Sequence, residues 1–252
     1  MIDTKEVPLV FREKIPGYYI QTSSVDRRLL GAGNLKGRKI LNIGCGQYLF
    51  DDIWMAMNGA DVTSIDYSRD AVELAKKRLG IARKNGQVKN AKISVELGDG
   101  RKLRFPDNTF DIVTSNSAIE HMPFPEDRYS AVKEMARVAK HGGKVIITGP
   151  NYLNFPATIL SRRAFRRRNQ FEHRFLPSEL RKMLSSNGLE IEKFDAESVY
   201  VIDKRLVMSR FPSLDFLPIS AFKPLSVVLR IFNSISFLKI FGMRMGFRAR
   251  KP

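Results

Sequence analysis

The sequence is poor in cysteine, and Cys45 is its only thiol among 252 residues. A single cysteine excludes an intramolecular disulfide and any metal cluster held by several cysteines, and it suits a reducing compartment. The first residues, Met1 to Glu6, also lack the basic and then apolar pattern of a secretory signal. We therefore expect a cytoplasmic location.

Acidic residues are also scarce, with 26 Asp and Glu against 43 Lys and Arg, which gives a net charge of +17. The excess is concentrated in residues 151–252, which hold 19 of the basic and 8 of the acidic residues. A basic surface favours anionic partners such as a phosphorylated substrate, an anionic membrane face or nucleic acid. A charge excess that only aids solubility is the alternative.

Long uncharged apolar runs are missing as well, although residues 211–247 are rich in apolar side chains. Lys223, Arg230 and Lys239 interrupt this stretch, and the longest uncharged run between Lys223 and Lys239 is eight residues. A transmembrane helix needs about 20. Spaced basic residues and a basic tail from Arg244 to Lys251 predict a segment that lies in the plane of a membrane surface. A core-packed helix or a dimer contact is the alternative.

The clearest motif begins with the apolar run Ile40 to Ile43, which predicts a buried parallel strand. The run ends at Gly44-Cys45-Gly46, and a helix is predicted over Tyr48 to Asn58. Closely spaced glycines let the backbone approach a ligand, and the following helix start offers free N–H groups to an anion.

A second predicted strand ends in Asp66, 20 residues beyond Gly46. An acid at this place can accept both hydrogen bonds of a ribose diol, or it can cap the next helix. A dinucleotide site would need a third glycine at the position of Leu49, so the pattern argues against NAD and FAD.

The ordered set of motifs resembles the class I S-adenosylmethionine-dependent methyltransferases. Besides the glycine loop and Asp66, residues 105–116 are similar to the family's Phe-Pro-Asp-x-x-Phe-Asp lead-in to strand four, and Gly142-Gly143 matches its turn into strand five. The resemblance covers about residues 38–150. It implies S-adenosylmethionine as cofactor and an α/β, doubly wound, Rossmann-like sheet of seven mostly parallel strands, the last of them antiparallel, with helices on both faces.

The resemblance also implies the roles of individual residues. The glycine loop would face the methionine end of the cofactor, Asp66 would hold the ribose, and Asp99 the adenine. The cofactor-binding residues it implies are Asn42, Gly44, Cys45, Gly46, Asp66, Tyr67, Asp99, Gly100, Ser115 and Asn116. Two positions depart from the family: Asn42 replaces its usual acid, which removes a negative charge near the cofactor's ammonium group, and Tyr48 replaces a glycine.

The methyl transfer is expected just after strand four, because ligands of such sheets bind at the carboxyl ends of the strands. His121 is the best candidate base for a hydroxyl acceptor and Glu120 the second, although both could be structural. The stretch resembles the Glu-x-x-Glu-His segment of ubiquinone-biosynthesis O-methyltransferases, which has been linked to a divalent metal. Ser117 occupies the first Glu position, and we therefore predict no metal.

Four residues outside this core are candidates for contacting the acceptor. Tyr18 and Tyr19 lie in a leading segment of the kind that covers the active site in the family, and His173 and Arg174 precede a capped helix. Five arginines between positions 162 and 168 predict a phosphate-binding insertion, or else a disordered basic loop.

These features predict a cap segment over residues 1–37, a methyltransferase domain over 38–208 with a basic insertion at 151–176, and a helical, apolar and basic extension over 209–252. The expected activity is methyl transfer to an oxygen of a small-molecule or lipid-linked acceptor, with peripheral contact to an anionic membrane through the extension. The alternatives are an RNA methyltransferase that uses the basic C-terminal part and a non-catalytic cofactor-binding protein. Nucleic acid is less favoured because the Asn-Pro-Pro-Tyr-type motif of enzymes that methylate DNA amino groups is absent.

Overall fold

The computed structural model describes residues 25–31, 35–86, 88, 91–154, 171–196, 240–242 and 244–252. These residues form one seven-stranded sheet with the strand order β3-β2-β1-β4-β5-β7-β6. The strands are β1 (Lys39–Ile43), β2 (Asp61–Asp66), β3 (Lys92–Leu97), β4 (Phe110–Asn116), β5 (Ala139–Pro150), β6 (Glu190–Ala196) and β7 (Arg244–Arg250). The first five are mutually parallel and β7 runs antiparallel to both of its neighbours. The predicted fold class is thereby confirmed.

Helices cover both faces of the sheet. They are α1 (Phe50–Met57), α2 (Arg69–Lys84), α3 (Pro125–Val138) and α4 (Pro177–Ser185), and residues 25–30 are also helical. Side chains of α3 and α4 form one hydrophobic core with one face of the sheet, and those of α1, α2 and residues 25–30 form a second core on the other face. Because both faces are covered, four of the five residues of β1 and five of the seven residues of β4 are buried.

The strand order reverses between β1 and β4, which lie side by side at the centre of the sheet. In doubly wound folds a crevice opens at such a reversal, outside the carboxyl ends of the strands. The residues after β1, β2, β3 and β4 therefore meet at one edge of the sheet, and these are the positions at which the motifs occur.

The expectation of a basic tail over Arg244 to Lys251 is wrong. Residues Arg244–Arg250 form β7, which lies between β5 and β6. Met245, Phe247 and Ala249 are buried, and Gly246 sits so close to β5 that a Cβ atom there would lie 2.6 Å from a carbonyl oxygen of that strand. The alternation of buried apolar side chains with arginines is that of a strand. The predicted extension over residues 209–252 thus ends within the sheet, while residues 209–239 lie outside the described part of the chain.

The predicted cap segment over residues 1–37 also contributes to the domain. Val25, Leu29 and Leu30 are buried in the second core, and Arg28 pairs with Asp195 of β6 at 2.7 Å. Tyr18 and Tyr19 lie outside the described residues, as do the five arginines of the predicted insertion. Among the helices that the structure describes, none is long and apolar enough to cross a bilayer.

Candidate active site

The glycine loop after β1 crosses the carboxyl end of β2. The N–H groups of Gly44 and Cys45 donate to the carbonyl oxygen of Ile65 at 2.8 and 3.1 Å. Gly44 has a φ of 78°, and a Cβ atom on it would lie 2.1 Å from the Cβ atom of Ala118. Only glycine fits here, because both the backbone conformation and the contact exclude a side chain.

The carboxylate of Asp66 is held at the end of β2 by two backbone groups. Its Oδ2 atom accepts from the N–H of Gly46 at 2.8 Å, and its Oδ1 atom accepts from the N–H of Ser68 at 2.9 Å. Each oxygen keeps further acceptor capacity, since a carboxylate offers about four lone-pair sites. The structure therefore fixes the acid that we predicted for the ribose directly beside the glycine loop.

A cavity of about 610 Å³ opens beside this loop. The predicted site residues that line it are Asn42, Gly44, Cys45, Gly46, Asn116 and His121. Burial raises the pKa of the Cys45 thiol far above its usual value, and Asp52 and Asp66 raise it further. The thiol is therefore protonated at neutral pH and is not a nucleophile.

Asn42 is buried and belongs to a small polar cluster behind the loop. Its Nδ2 atom donates to Oδ1 of Asp52 at 2.8 Å, and the Ser64 hydroxyl donates to the same oxygen at 2.5 Å. Burial raises the pKa of Asp52 to about 6 in spite of these hydrogen bonds. Asn42 is thus a hydrogen-bond partner of an acid on α1.

The neighbouring acid, Asp51, also lines the cavity. The amide of Asn116 donates to its Oδ2 atom at 2.5 Å, and its buried Oδ1 atom has no hydrogen-bond partner among the described residues. Burial raises the pKa of Asp51. Sequence reasoning missed both carboxylates, and the only signal for them was a pair of acids in the first turn of the helix after the glycine loop.

Arg244 connects this cluster to the other end of the site. It donates to the side-chain oxygen of Asn116 and, at 2.9 Å, to the Thr148 hydroxyl, which itself donates to Asp26 at 2.7 Å. These contacts fix the Asn116 amide with its oxygen toward Arg244 and its nitrogen toward Asp51. Ser115, also predicted for the cofactor, is fully buried, and its hydroxyl has no partner among the described residues.

The residues predicted for adenine lie at the ends of β2 and β3, beside a second cavity of about 760 Å³ lined by Tyr67 and Asp99. Gly100 follows directly, and a Cβ atom on it would lie 2.9 Å from Cγ2 of Ile43. Arg101 holds the Asp99 carboxylate at 2.8–3.1 Å, which keeps the pKa of Asp99 below its usual value. Asp99, which was predicted for the adenine, and Tyr67, which was predicted only as a cofactor-binding residue, therefore line the same cavity, and Arg101 is a neighbour that the sequence analysis did not name.

His121 lies in a short 3₁₀ turn, Ile119–His121, just after β4. Its Nδ1 atom is 2.9 Å from the carbonyl oxygen of Phe171. A carbonyl oxygen can only accept, so the neutral ring carries its proton on Nδ1 and the lone pair on Nε2. The imidazole at the cavity is therefore in the tautomer that can take a proton from a ligand.

Glu120 is placed differently. It is 2% exposed and its Oε2 atom has no hydrogen-bond partner among the described residues, and burial raises its pKa. Its backbone oxygen accepts from the N–H of His173 at 2.8 Å. Glu120 does not line the cavity at His121, so the structure separates the two candidate bases into an accessible one and a buried one.

His173 and Arg174, predicted to face the acceptor, have protein partners. His173 pairs with Glu179 at 2.8 Å, and Arg174 pairs with Glu172 at 3.3 Å. Neither residue lines the two cavities described above. Within the described ranges, no group of three or more His, Cys, Asp or Glu side chains is arranged to hold a metal ion.

Comparison with known proteins shows which protein domain has this sequence pattern. The family model described as "Methyltransferase domain" matches residues 41–147, which include the glycine loop, Asp66, Asp99 and His121. Residues 41–147 of the chain thus form a methyltransferase domain. A ubiquinone biosynthesis O-methyltransferase of Bordetella avium is 34% identical over 167 residues, which are 63% of this chain and 65% of that relative. The chain thus spans slightly less than two thirds of the relative's length.

Solved structures of methyltransferases share the fold. An S-adenosylmethionine-dependent methyltransferase from Methanosarcina mazei has a TM-score of 0.60 at 20% identity, with 86% of this chain and 93% of that chain covered. The magnesium protoporphyrin IX methyltransferase from Synechocystis has a TM-score of 0.61 at 16% identity, with 96% and 91% covered, and was solved with bound S-adenosylhomocysteine. At these identities the likeness shows the fold alone.

The cofactor of this methyltransferase is S-adenosylmethionine, and the residues present fit it. Gly44 and Gly46 leave room for a ligand against the backbone, since both have positive φ and a Cβ atom on Gly46 would contact nothing within 4 Å. Asp66 would hold the ribose and Asp99 the adenine. At the methionine end, Oδ1 of Asn42 has no hydrogen-bond partner among the described residues and can accept from a ligand donor.

Proposed function

We propose that the protein transfers the methyl group of S-adenosylmethionine to an oxygen of a small-molecule acceptor, with His121 as general base. The observation that carries this proposal is the hydrogen bond from Nδ1 of His121 to Phe171, which leaves Nε2 able to accept a proton at the cavity beside the glycine loop. The similarity to an O-methyltransferase of ubiquinone biosynthesis supports oxygen as the methylated atom.

The bound cofactor supplies an activated methyl group on a sulfonium. As this methyl group passes to the acceptor oxygen, Nε2 of His121 would take the hydroxyl proton. The imidazolium that results keeps its Nδ1–H on the Phe171 carbonyl, which stabilises the positive charge. General base catalysis of this kind contributes about 10²- to 10⁴-fold to a rate.

The acceptor could be water-soluble or linked to a lipid, and the test separates the two. Methyl-labelled S-adenosylmethionine is incubated with the protein and a host extract, which is then partitioned into lipid, small-molecule, RNA and protein fractions. We expect label in the small-molecule or lipid fraction. Label in RNA alone would favour the RNA methyltransferase reading, and no label in any fraction would favour a non-catalytic cofactor-binding protein.

The role of His121 is tested once the labelled fraction is known. His121→Asn should lower turnover by at least about 100-fold and leave S-adenosylhomocysteine binding unchanged, because the base is needed for the proton and not for the cofactor. His141→Asn is the matched control: this exposed histidine also bonds a carbonyl oxygen, that of Pro252, but it lies at the start of β5. Turnover within threefold of the wild type in His121→Asn would refute the assignment.

A further inference from the structure

Asp51 lines the cavity with a carboxylate oxygen that none of the contacts described above uses. It stands in the first turn of α1, and the Asn116 amide occupies only its Oδ2 atom. The other oxygen, Oδ1, is buried and lacks a hydrogen-bond partner among the described residues. An unmatched buried acceptor costs free energy unless a ligand donor meets it.

Burial raises the pKa of Asp51, and the Asn116 hydrogen bond, Arg27 and Arg244 offset only part of this effect. A cationic ligand group beside the carboxylate would favour its ionised form. Arg244 holds the Asn116 amide in place, and this amide orients the Asp51 carboxylate by donating a hydrogen bond to its Oδ2 atom. The result is a rigidly held acceptor in the wall of a cavity that also contains Gly44 and Asn42.

The end of β1 lacks a negative charge. Asn42 occupies the position two residues before Gly44, and its amide nitrogen points to Asp52. The methionine end of the cofactor carries two positive groups, the sulfonium and the α-ammonium, and of these only the α-ammonium can donate hydrogen bonds to a carboxylate. We propose that Asp51 accepts this ammonium group, so that helix α1 supplies the negative charge that β1 lacks.

The alternative is that Asp51 only anchors Asn116. A ligand pair distinguishes the two roles: S-adenosylhomocysteine and the analogue in which hydrogen replaces its amino group. Binding of both to the full chain is measured by titration calorimetry. The wild type should bind S-adenosylhomocysteine about 10- to 100-fold more tightly than the analogue, the effect typical of a hydrogen bond between charged groups.

In Asp51→Asn this preference should fall to about threefold or less, since affinity for the analogue does not depend on the charge. The ratio of the two affinities is diagnostic because a merely structural loss would weaken both ligands alike. Asp52→Asn is the matched control: the oxygen of Asp52 already accepts from Asn42 and Ser64, so the preference should persist. An unchanged preference in Asp51→Asn, or no preference in the wild type, would overturn the proposal.

A second measurement needs no variant. A crystal structure of the wild type with S-adenosylhomocysteine should place the amino nitrogen within hydrogen-bond distance of an Asp51 carboxylate oxygen. A nitrogen more than 4 Å from both oxygens would overturn the proposal even if Asp51→Asn failed to fold. Neither experiment depends on the identity of the acceptor, so the failure of this proposal and that of O-methylation are distinguishable.

Discussion

The buried carboxyl of Asp52 makes stability depend on pH in a direction that can be measured. Its pKa is raised from 3.8 to about 6, mainly by burial, because the ionised form loses water that the hydrogen bonds from Ser64, Asn42 and the backbone replace only in part. Replacing Asp52 by asparagine removes the ionisation but keeps an oxygen that can accept from Asn42 and Ser64. The substitution therefore isolates the free energy of burying a charge.

The sign follows from the two pKa values. Between pH 4 and 6 the folded protein keeps a proton on Asp52 that the unfolded chain has lost, so stability falls as pH rises through this range. The stability that protonated Asp52 contributes is present below pH 3.8 and lost above about pH 6. Raising the pKa this far corresponds to about 3 kcal/mol in the free energy of unfolding.

The assay is urea unfolding of the wild type and Asp52→Asn at pH 4.5 and pH 7.5 in the same salt. The free energy of unfolding of the variant minus that of the wild type should become more positive by about 2 kcal/mol as pH rises from 4.5 to 7.5. The contributions of titrating groups that are not coupled to Asp52 are the same in both proteins and cancel in this difference. A difference that does not change with pH, or that falls, would refute the assignment of a buried carboxyl with a raised pKa.

Two glycines provide further tests. Gly44→Ala should lower the free energy of unfolding by about 3 kcal/mol in urea unfolding, because its Cβ atom would clash with Ala118, whereas a Cβ atom on Gly46 meets no protein atom within 4 Å and Gly46→Ala should cost only about 1 kcal/mol of backbone strain. Equal effects of the two would contradict the loop geometry. Gly246→Ala should destabilise the fold by about 3 kcal/mol in urea unfolding, because β7 packs against β5 at this residue, and Gly80→Ala in α2 should be neutral or stabilising. If Gly246→Ala left the free energy of unfolding unchanged, β7 would not be an inner strand of the sheet.

The parts of the site that sequence could predict are those encoded by neighbours in the chain. An apolar run that ends in two glycines specifies β1 and its loop, and a second run that ends in Asp66 specifies the acid beside it. Both predictions use only the alternation of strand and turn, and the parallel sheet then brings the two ends together. The same argument placed Asp99 and His121 at the same edge.

The sequence analysis expected a seventh strand but did not place it at Arg244–Arg250, because the apolar residues of this stretch are separated by arginines. Arg248 and Arg250 suggested a surface tail, whereas they pair with Glu192 and Glu190 of β6 at 2.9 and 2.6 Å. Both strands show a period of two in their charged residues: Glu190 and Glu192 stand at alternate positions of β6, and Arg248 and Arg250 stand at alternate positions of β7. Glu190 faces Arg250 in the antiparallel register, and opposite charges on facing positions stabilise such pairing, so this pair was the available signal.

The acids of α1 could not be assigned from sequence, because their role depends on which way the helix's first turn faces. That direction is set by packing: the apolar side chains of α1 bury against the sheet, and this turns Asp51 and Asp52 toward the ends of β1, β2 and β4. Two carboxylates buried side by side would repel one another and lose their hydration. Donors from the three strands, Asn42, Ser64 and Asn116, offset part of this cost. The neutral residue at the end of β1 is therefore consistent with the acids on α1, since a third carboxylate at Asn42 would remove a donor that Asp52 uses and would add a further buried negative charge.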